Sequence, residues 1–302
     1  MKRFVVLCLV ALVLLSVFCG CENNESETDT TNAECEIVEE GIIACNGVYR
    51  NSEVKYAVNK NNELILNVDS WGESFFIPNQ DMYFVGETVR ASSVVLSEDQ
   101  GMLIFNDFSV PAKPIKVIRF AKGDPQVTIE NLPYETNTSY AFQYCNFIDR
   151  QTGYLFLFDG FDSEIRLSKM LKTTDGGQAW AEQGLEDVPN FGWKDNIICA
   201  KMIDEEIGFV SAGHRADDNL SARTYVTTDG GKNWNKIILP PDDCYTWGDS
   251  SEFATYIGSG EAYDLIYDGE QYVLCLRYRQ EDYYVNFKYA STDLKTWTFV
   301  EE

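Results

Sequence analysis

Apolar residues along this chain fall in short alternating runs rather than at helical spacing. Val54 to Val58, Leu64 to Val68 and Ser74 to Ile77 alternate apolar and polar positions, with an Asn-rich turn at Asn59 to Asn62. A period of two predicts half-buried strands joined by tight turns. The pattern continues as Tyr154 to Phe158, Lys169 to Thr173, Phe209 to Ser211 and Thr224 to Thr227. The chain reads as all-β. One run breaks the pattern: after Lys2 and Arg3, Phe4 to Phe18 is uninterruptedly apolar or small. A spanning helix needs about twenty residues, so this shorter run suits the core of a signal peptide.

The turns repeat. Thr173-Thr174-Asp175-Gly176-Gly177-Gln178-Ala179-Trp180 recurs fifty-four positions on as Thr227-Thr228-Asp229-Gly230-Gly231-Lys232-Asn233-Trp234. The Asp carboxylate accepts from backbone N–H groups of its own turn, the glycines supply positive φ, and the Trp carries an apolar face back to the sheet. A second segment precedes each copy. Ile148-Asp149-Arg150-Gln151-Thr152-Gly153-Tyr154 lines up with Ile203-Asp204-Glu205-Glu206-Ile207-Gly208-Phe209 at a spacing of fifty-five. Fainter copies flank these. Gly101, Lys116 to Arg119 and Gly123 keep the register but lack the Asp and Trp, and Val127 stands at the Trp position. Ser291-Thr292-Asp293-Leu294-Lys295-Thr296-Trp297 keeps Ser, Asp and Trp without the glycine pair, after a turn at Asp268.

Four antiparallel strands per period predict the blades of a β-propeller. The 262 residues from Gly41 onward give about five blades, with six, the outer ones shorter, as the alternative. Pairing between the two chain ends is expected to close the ring and remove sheet edges.

The repeated phrase resembles the Asp-box, Ser/Thr-x-Asp-x-Gly-x-x-Trp, of bacterial neuraminidase-repeat propellers, and both full copies match every fixed position. The resemblance implies structural, peripheral roles for Thr173, Asp175, Gly177 and Trp180, for Thr227, Asp229, Gly231 and Trp234, and for Ser291, Asp293 and Trp297. In the sialidase branch the active site uses three arginines, a Tyr–Glu pair and an Asp acid/base, introduced by a Phe/Tyr-Arg-Ile-Pro element. The nearest segment here, Tyr49-Arg50-Asn51-Ser52, lacks the Ile and the Pro. Similar repeats also occur in photosystem II assembly-factor propellers.

The apolar start ends in Phe18-Cys19-Gly20-Cys21, which resembles a bacterial lipobox. Cleavage after Gly20 would leave Cys21 to carry the lipid, and acyl chains would anchor the protein to a membrane. Residues 21–40 follow as an acidic tether: Glu22 to Glu40 holds eight acids and no Lys or Arg, too little apolar surface to offset ordering. The expected order is therefore signal peptide 1–20, lipidated Cys and tether 21–40, and propeller 41–302.

Charge narrows the partners. Lys and Arg total 24 against 48 Asp and Glu, a formal net charge of −24. No basic excess is present to displace counterions from nucleic acid, and an anionic membrane surface is disfavoured likewise. With one histidine, His214, no Cys-x-x-Cys and no calcium loop, neither a metal nor a cofactor is expected. Six cysteines remain beyond Cys21, and Cys35 with Cys45 is the plausible local disulfide.

For ligand chemistry the one concentrated stretch is Arg277-Tyr278-Arg279-Gln280-Glu281. Arg277, Arg279 and Glu281 have the residue types that recognise carboxylates and sugars, although alternation also fits an exposed hairpin. The leading expectation is an extracytoplasmic lipoprotein whose propeller binds a protein or glycan without catalysis. A sialidase- or arabinanase-like glycoside hydrolase is the alternative, and an assembly factor for a membrane complex the second. Oligomeric state stays open.

Overall fold

Each expected alternating run forms a strand, and the turns between them bring successive strands side by side. In the computed structural model, residues 36–47, 53–78, 84, 93–105, 114–135, 141–161, 164–192, 195–214, 223–239, 261–280 and 283–300 are described. They contain strands and no helix. The first blade is β1 (Ile37–Gly47), β2 (Glu53–Asn59), β3 (Leu64–Val68) and β4 (Glu73–Ile77). The second is β5 (Ser93–Leu96), β6 (Gln100–Phe105), β7 (Pro114–Ala121) and β8 (Asp124–Glu135). The third is β9 (Ala141–Phe147), β10 (Gly153–Phe161), β11 (Glu164–Thr173) and β12 (Ala181–Glu182), with β13 (Asn190–Gly192) beside β11. The fourth is β14 (Asp195–Met202), β15 (Gly208–His214), β16 (Arg223–Thr227) and β17 (Asn235–Lys236), and the fifth β18 (Glu261–Tyr267), β19 (Tyr272–Gln280), β20 (Tyr283–Ser291) and β21 (Thr298–Val300). Within each blade consecutive strands pair antiparallel, so the described residues form an all-β propeller of five blades.

Two expectations about the chain ends are revised. The first strand begins at Ile37 rather than after Glu40, because Ile37, Glu39 and Glu40 pair with Asn59, Val58 and Ala57. The ends of the chain do not share a blade among the described residues: β1 lies between β2 and β5, and β21 pairs with β20. The free edge of β1 is taken up by β5, with Cys45, Asn46 and Gly47 running parallel to Val94, Val95 and Leu96. That contact merges the first two blades into one eight-stranded sheet.

Apolar side chains from facing sheets fill the spaces between blades. Tyr56, Leu66 and Phe75 of the first blade meet Leu103, Phe105 and Phe120 of the second, while Phe156, Phe158 and Met170 of the third meet Met202, Val210 and Trp234 of the fourth. Polar side chains also join neighbouring blades, through β5, β6, β9, β14, β15 and β18. Ser93 accepts from the Cys145 N–H at 3.2 Å, and the Gln143 amide donates to Ile104 C=O at 2.8 Å. Asn146 both donates to Met202 C=O (2.8 Å) and accepts from Met202 N–H (3.0 Å). Lys201 pairs with Asp264, and the Ser211 hydroxyl donates to Ala262 C=O. Such bonds satisfy main-chain groups that blade packing takes out of water.

Candidate functional site

The Asp-bearing turns form the backbone geometry their sequence demands. The Thr173 hydroxyl donates to Asp175 (2.8 Å) and accepts from the Gly177 N–H (2.8 Å), while the other side of the turn closes through Ala179 N–H to Asp175 (2.9 Å). Thr227, Asp229, Gly231 and Asn233 repeat those bonds at 2.9, 2.9 and 3.0 Å. In the shortened third copy Asp293 accepts from Thr296 N–H (2.7 Å), Lys295 N–H (2.9 Å) and the Ser291 hydroxyl (3.0 Å). Gly177 and Gly231 have φ of +84° and +90°, and Leu294 takes φ of 60° where the shortened copy has no glycine. Each Trp of the full copies donates its indole N–H to the carbonyl of the second glycine.

These bonds set the electrostatics. The Ala179 N–H, then the Thr173 hydroxyl, hold Asp175 below the usual carboxylate range. At Asp229 desolvation pushes upward, but the backbone and side chain of Asn233 and the Thr227 hydroxyl together lower it. Thr296 and Lys295 N–H groups press Asp293 down to about 2. In the turns that open the third and fifth blades, Asp149 is lowered by the N–H groups of Thr152 and Gln151, and Asp268 by those of Gln271 and Glu270. All five are fixed acceptors at neutral pH, a state suited to holding turns and unsuited to delivering a proton.

Each full Asp turn docks twice. It sits on the opening turn of its own blade, with Gly176 N–H donating to Gln151 C=O and Gly230 N–H to Glu206 C=O, both at 2.9 Å. It also presses its second glycine onto a methionine of the preceding blade. A Cβ at Gly177 would lie 3.0 Å from the Met102 Cε, and one at Gly231 would lie 2.4 Å from the Met170 Cε. The methionines come from β6 and β11, so different strands fill the same slot.

The two interfaces then diverge. Between the third and fourth blades the chain leaving β12 folds over the next Asp turn: Glu186 and Asp187 N–H donate to Lys232 C=O at 2.8 and 3.2 Å, and Trp234 N–H donates to Asp187 C=O at 3.1 Å. Leu185 and Val188 pack beside Trp234, which is 4% exposed. Among the described residues no such segment lies between the second and third blades, where β8 extends over twelve residues. Trp180 is left only half-buried. What remains is a cleft of about 860 Å³, within the size of ordinary ligand sites.

Alternation on β8 places Val127 and Ile129 toward the first blade and Gln126, Thr128 and Glu130 toward this cleft. Phe147 contributes apolar surface, and Gln151, Asp175 and Gln178 line the far wall. Arg119 crosses the cleft, donating to Gly177 C=O and, at 3.4 Å, to Glu130. Arg150 spans the rim to Glu98 at 2.9 Å. Five carboxylates against two guanidinium groups make the lining acidic.

The stretch singled out in sequence behaves differently. Arg277 on β19 stands opposite Glu261 on β18, bonds to it at 3.1 Å and lies over the Tyr263 ring at 5.8 Å. Its charge is therefore already matched. Arg279 is on β19 with its backbone paired to Tyr284, and Glu281 lies outside the described residues, as do Cys21, Cys35 and Arg50. Cys45 is within β1 beside Val94. Arg119 and Arg277 lie on the second and fifth blades, and each is bonded to a neighbour of its own, Gly177 and Glu130 for Arg119 and Glu261 for Arg277. His214 closes β15. Buried among apolar neighbours, the Cys145 thiol is pushed far up, and burial followed by the Asp264 charge raises Cys275. Both are poor nucleophiles.

Sequence reasoning missed the cleft. Its only linear trace is the loss of Asp and Trp in the second blade and the straight polar alternation Asp124, Gln126, Thr128, Glu130.

No family model matches the chain, and no curated protein matches it in sequence. Solved structures do. The chain is similar to a GH74 xyloglucanase from Xanthomonas campestris at 11% identity and a TM-score of 0.36, over 86% of this chain and 45% of that one. It is similar to a polysaccharide lyase of family PL25, an ulvan lyase, at 10% identity and a TM-score of 0.47, over 88% of this chain and 74% of that one. A fucose-specific lectin from Aleuria aurantia matches at 10% identity and a TM-score of 0.39, over 86% and 77%. The chain spans less than half the length of the two GH74 enzymes it matches.

Proposed function

We propose that this chain is a lipid-anchored, extracytoplasmic Asp-box propeller that binds a protein or glycan partner without turning it over. The observation that carries the reading is the open cleft between the second and third blades, where polar side chains face solvent from rigid strands. Sites on strands hold their geometry better than sites on loops. The downshifted turn aspartates and the Arg277–Glu261 pair support binding over hydrolysis, since neither offers a proton donor or a free carboxylate receptor. Lipid on Cys21 and the acidic tether would hold the propeller near a membrane while giving it reach.

The test is a glycan array together with site-specific crosslinking from Gln126 in cells, run on the full chain and on Thr128→Trp. Thr128 is exposed on β8, so the indole fills the cleft without entering the core. The reading expects a ligand retained by the parent and lost by the variant. Binding that Thr128→Trp leaves unchanged, or a glycan cleaved by the parent, refutes it.

A further inference from the structure

The partner of this cleft is identified by what fills the same place one blade further on. At the interface of the third and fourth blades the protein occupies the slot with its own extended segment, and Asp187 forms a parallel bridge with Asn233 of the Asp turn. The contact is main-chain to main-chain: Lys232 C=O accepts two N–H groups and Trp234 N–H donates to Asp187 C=O. The repeat offset makes Gln178 and Trp180 the counterparts of Lys232 and Trp234. Among the described residues, Gln178 C=O and Trp180 N–H have no such strand laid against them. The difference in burial of the two tryptophans, 4% at Trp234 and half-buried at Trp180, accords with the lack of such a cover among the described residues.

We infer that the cleft is a β-augmentation site, in which an extended, lysine- or arginine-bearing peptide segment of a protein partner pairs with Gln178 C=O and Trp180 N–H. This rests on the binding reading above and narrows it to a peptide. Main-chain pairing supplies affinity, and side-chain pockets alternate along the added strand. Its apolar residues rest on Phe147, as Leu185 and Val188 rest beside Trp234. Its basic residues face Asp124 and Glu130. The internal segment itself carries Glu186 and Asp187 at those positions, and an acidic copy would be repelled by the acidic wall, so the sign of the partner is reversed from the template. A peptide is favoured over a sugar because the unfilled groups are a backbone donor and acceptor in strand register.

The probe is a capped hexapeptide reproducing Gln183 to Val188 with lysine in place of Glu186 and Asp187, titrated against the full chain in detergent by fluorescence polarisation. Three comparisons accompany it: the unaltered acidic peptide, the lysine peptide N-methylated at both lysines, and the lysine peptide against Thr128→Trp and Glu130→Lys. Saturable binding is expected for the lysine peptide, with N-methylation, the acidic sequence and either variant each weakening it about five- to tenfold or more, the worth of one main-chain bond or one matched charge. No saturation up to millimolar peptide, or binding indifferent to N-methylation, overturns the inference. If the peptide fails while an array glycan is retained and lost on Thr128→Trp, the peptide assignment falls and the binding reading stands. If both fail, the cleft is not the site.

Discussion

Replacing Asn146 tests whether the inner strands are joined by side chains that imitate a missing strand partner. Its amide meets both polar groups of the Met202 peptide, at 2.8 and 3.0 Å, across the boundary of the third and fourth blades. Asn146 is 7% exposed and Met202 1%, so water does not readily replace the amide. Asn146→Ala strands one N–H and one C=O, each costing about 1–3 kcal/mol, for a loss of about 2–6 kcal/mol. For a domain of this size that lowers Tm by about 5–15 °C. Asn146→Asp is the sharper variant. A carboxylate still accepts from Met202 N–H but turns a second lone pair toward Met202 C=O. Burial against that carbonyl raises its folded-state pKa above the unfolded value of about 3.9. The native state is then penalised at neutral pH, and the penalty is relieved as pH falls through the raised folded pKa. Calorimetry at pH 7 should rank Asn146→Asp at or below Asn146→Ala, and at pH 5 Asn146→Asp should gain on Asn146→Ala. A fall in Tm under about 2 °C for Asn146→Ala, against the range above, would refute the joint.

Further outcomes follow from the turns and the core. Gly231→Ala must place a Cβ 2.4 Å from the Met170 Cε at φ of +90°, whereas Gly123→Ala at φ of +80° meets nothing within 4 Å. Urea midpoints should therefore show a loss of about 1 kcal/mol for Gly123→Ala from backbone strain alone and a larger one for Gly231→Ala. The carboxylates of Asp149, Asp175, Asp229, Asp268 and Asp293 are all lowered, with Asp293 at about 2. A depressed folded pKa contributes stability above the unfolded value of about 4 and loses it as pH falls toward the folded value. Denaturation midpoints should drop between those limits, and Asp293→Asn should flatten the slope. Peptide-resolved alkylation should leave Cys145 unmodified until the fold opens, since its thiol is buried and its pKa is raised.

What sequence could reveal was local. Asp175, Asp229 and Asp293 bond within four residues of themselves, so their spacing alone announces the turn. Strands such as Leu64–Val68 were legible because one face is buried and alternation records it. The fourth strands start one residue past Trp180 and Trp234, because each indole bonds back into its turn. Relations between blades left no comparable mark. Met102 and Met170 serve the same slot from different strands, and the pairing of β1 with β5 joins residues with no shared motif. The cleft depends on which segments lie against the Asp turn, and among the described residues Leu185 to Val188 cover one turn and nothing comparable covers the other. Arg277 drew notice by composition, and its partner Glu261 is a neighbour only through strand register.

The central claim is that this propeller binds without turning over what it binds. It is tested most directly by incubating the full chain with a panel of fluorogenic sialosides, arabinosides and common glycosides, beside Arg277→Ala and Arg279→Ala. The account predicts no turnover above buffer for any substrate, with the protein folded by circular dichroism. Saturable hydrolysis by the parent that either arginine variant abolishes would contradict it and move the site to the β19–β20 hairpin.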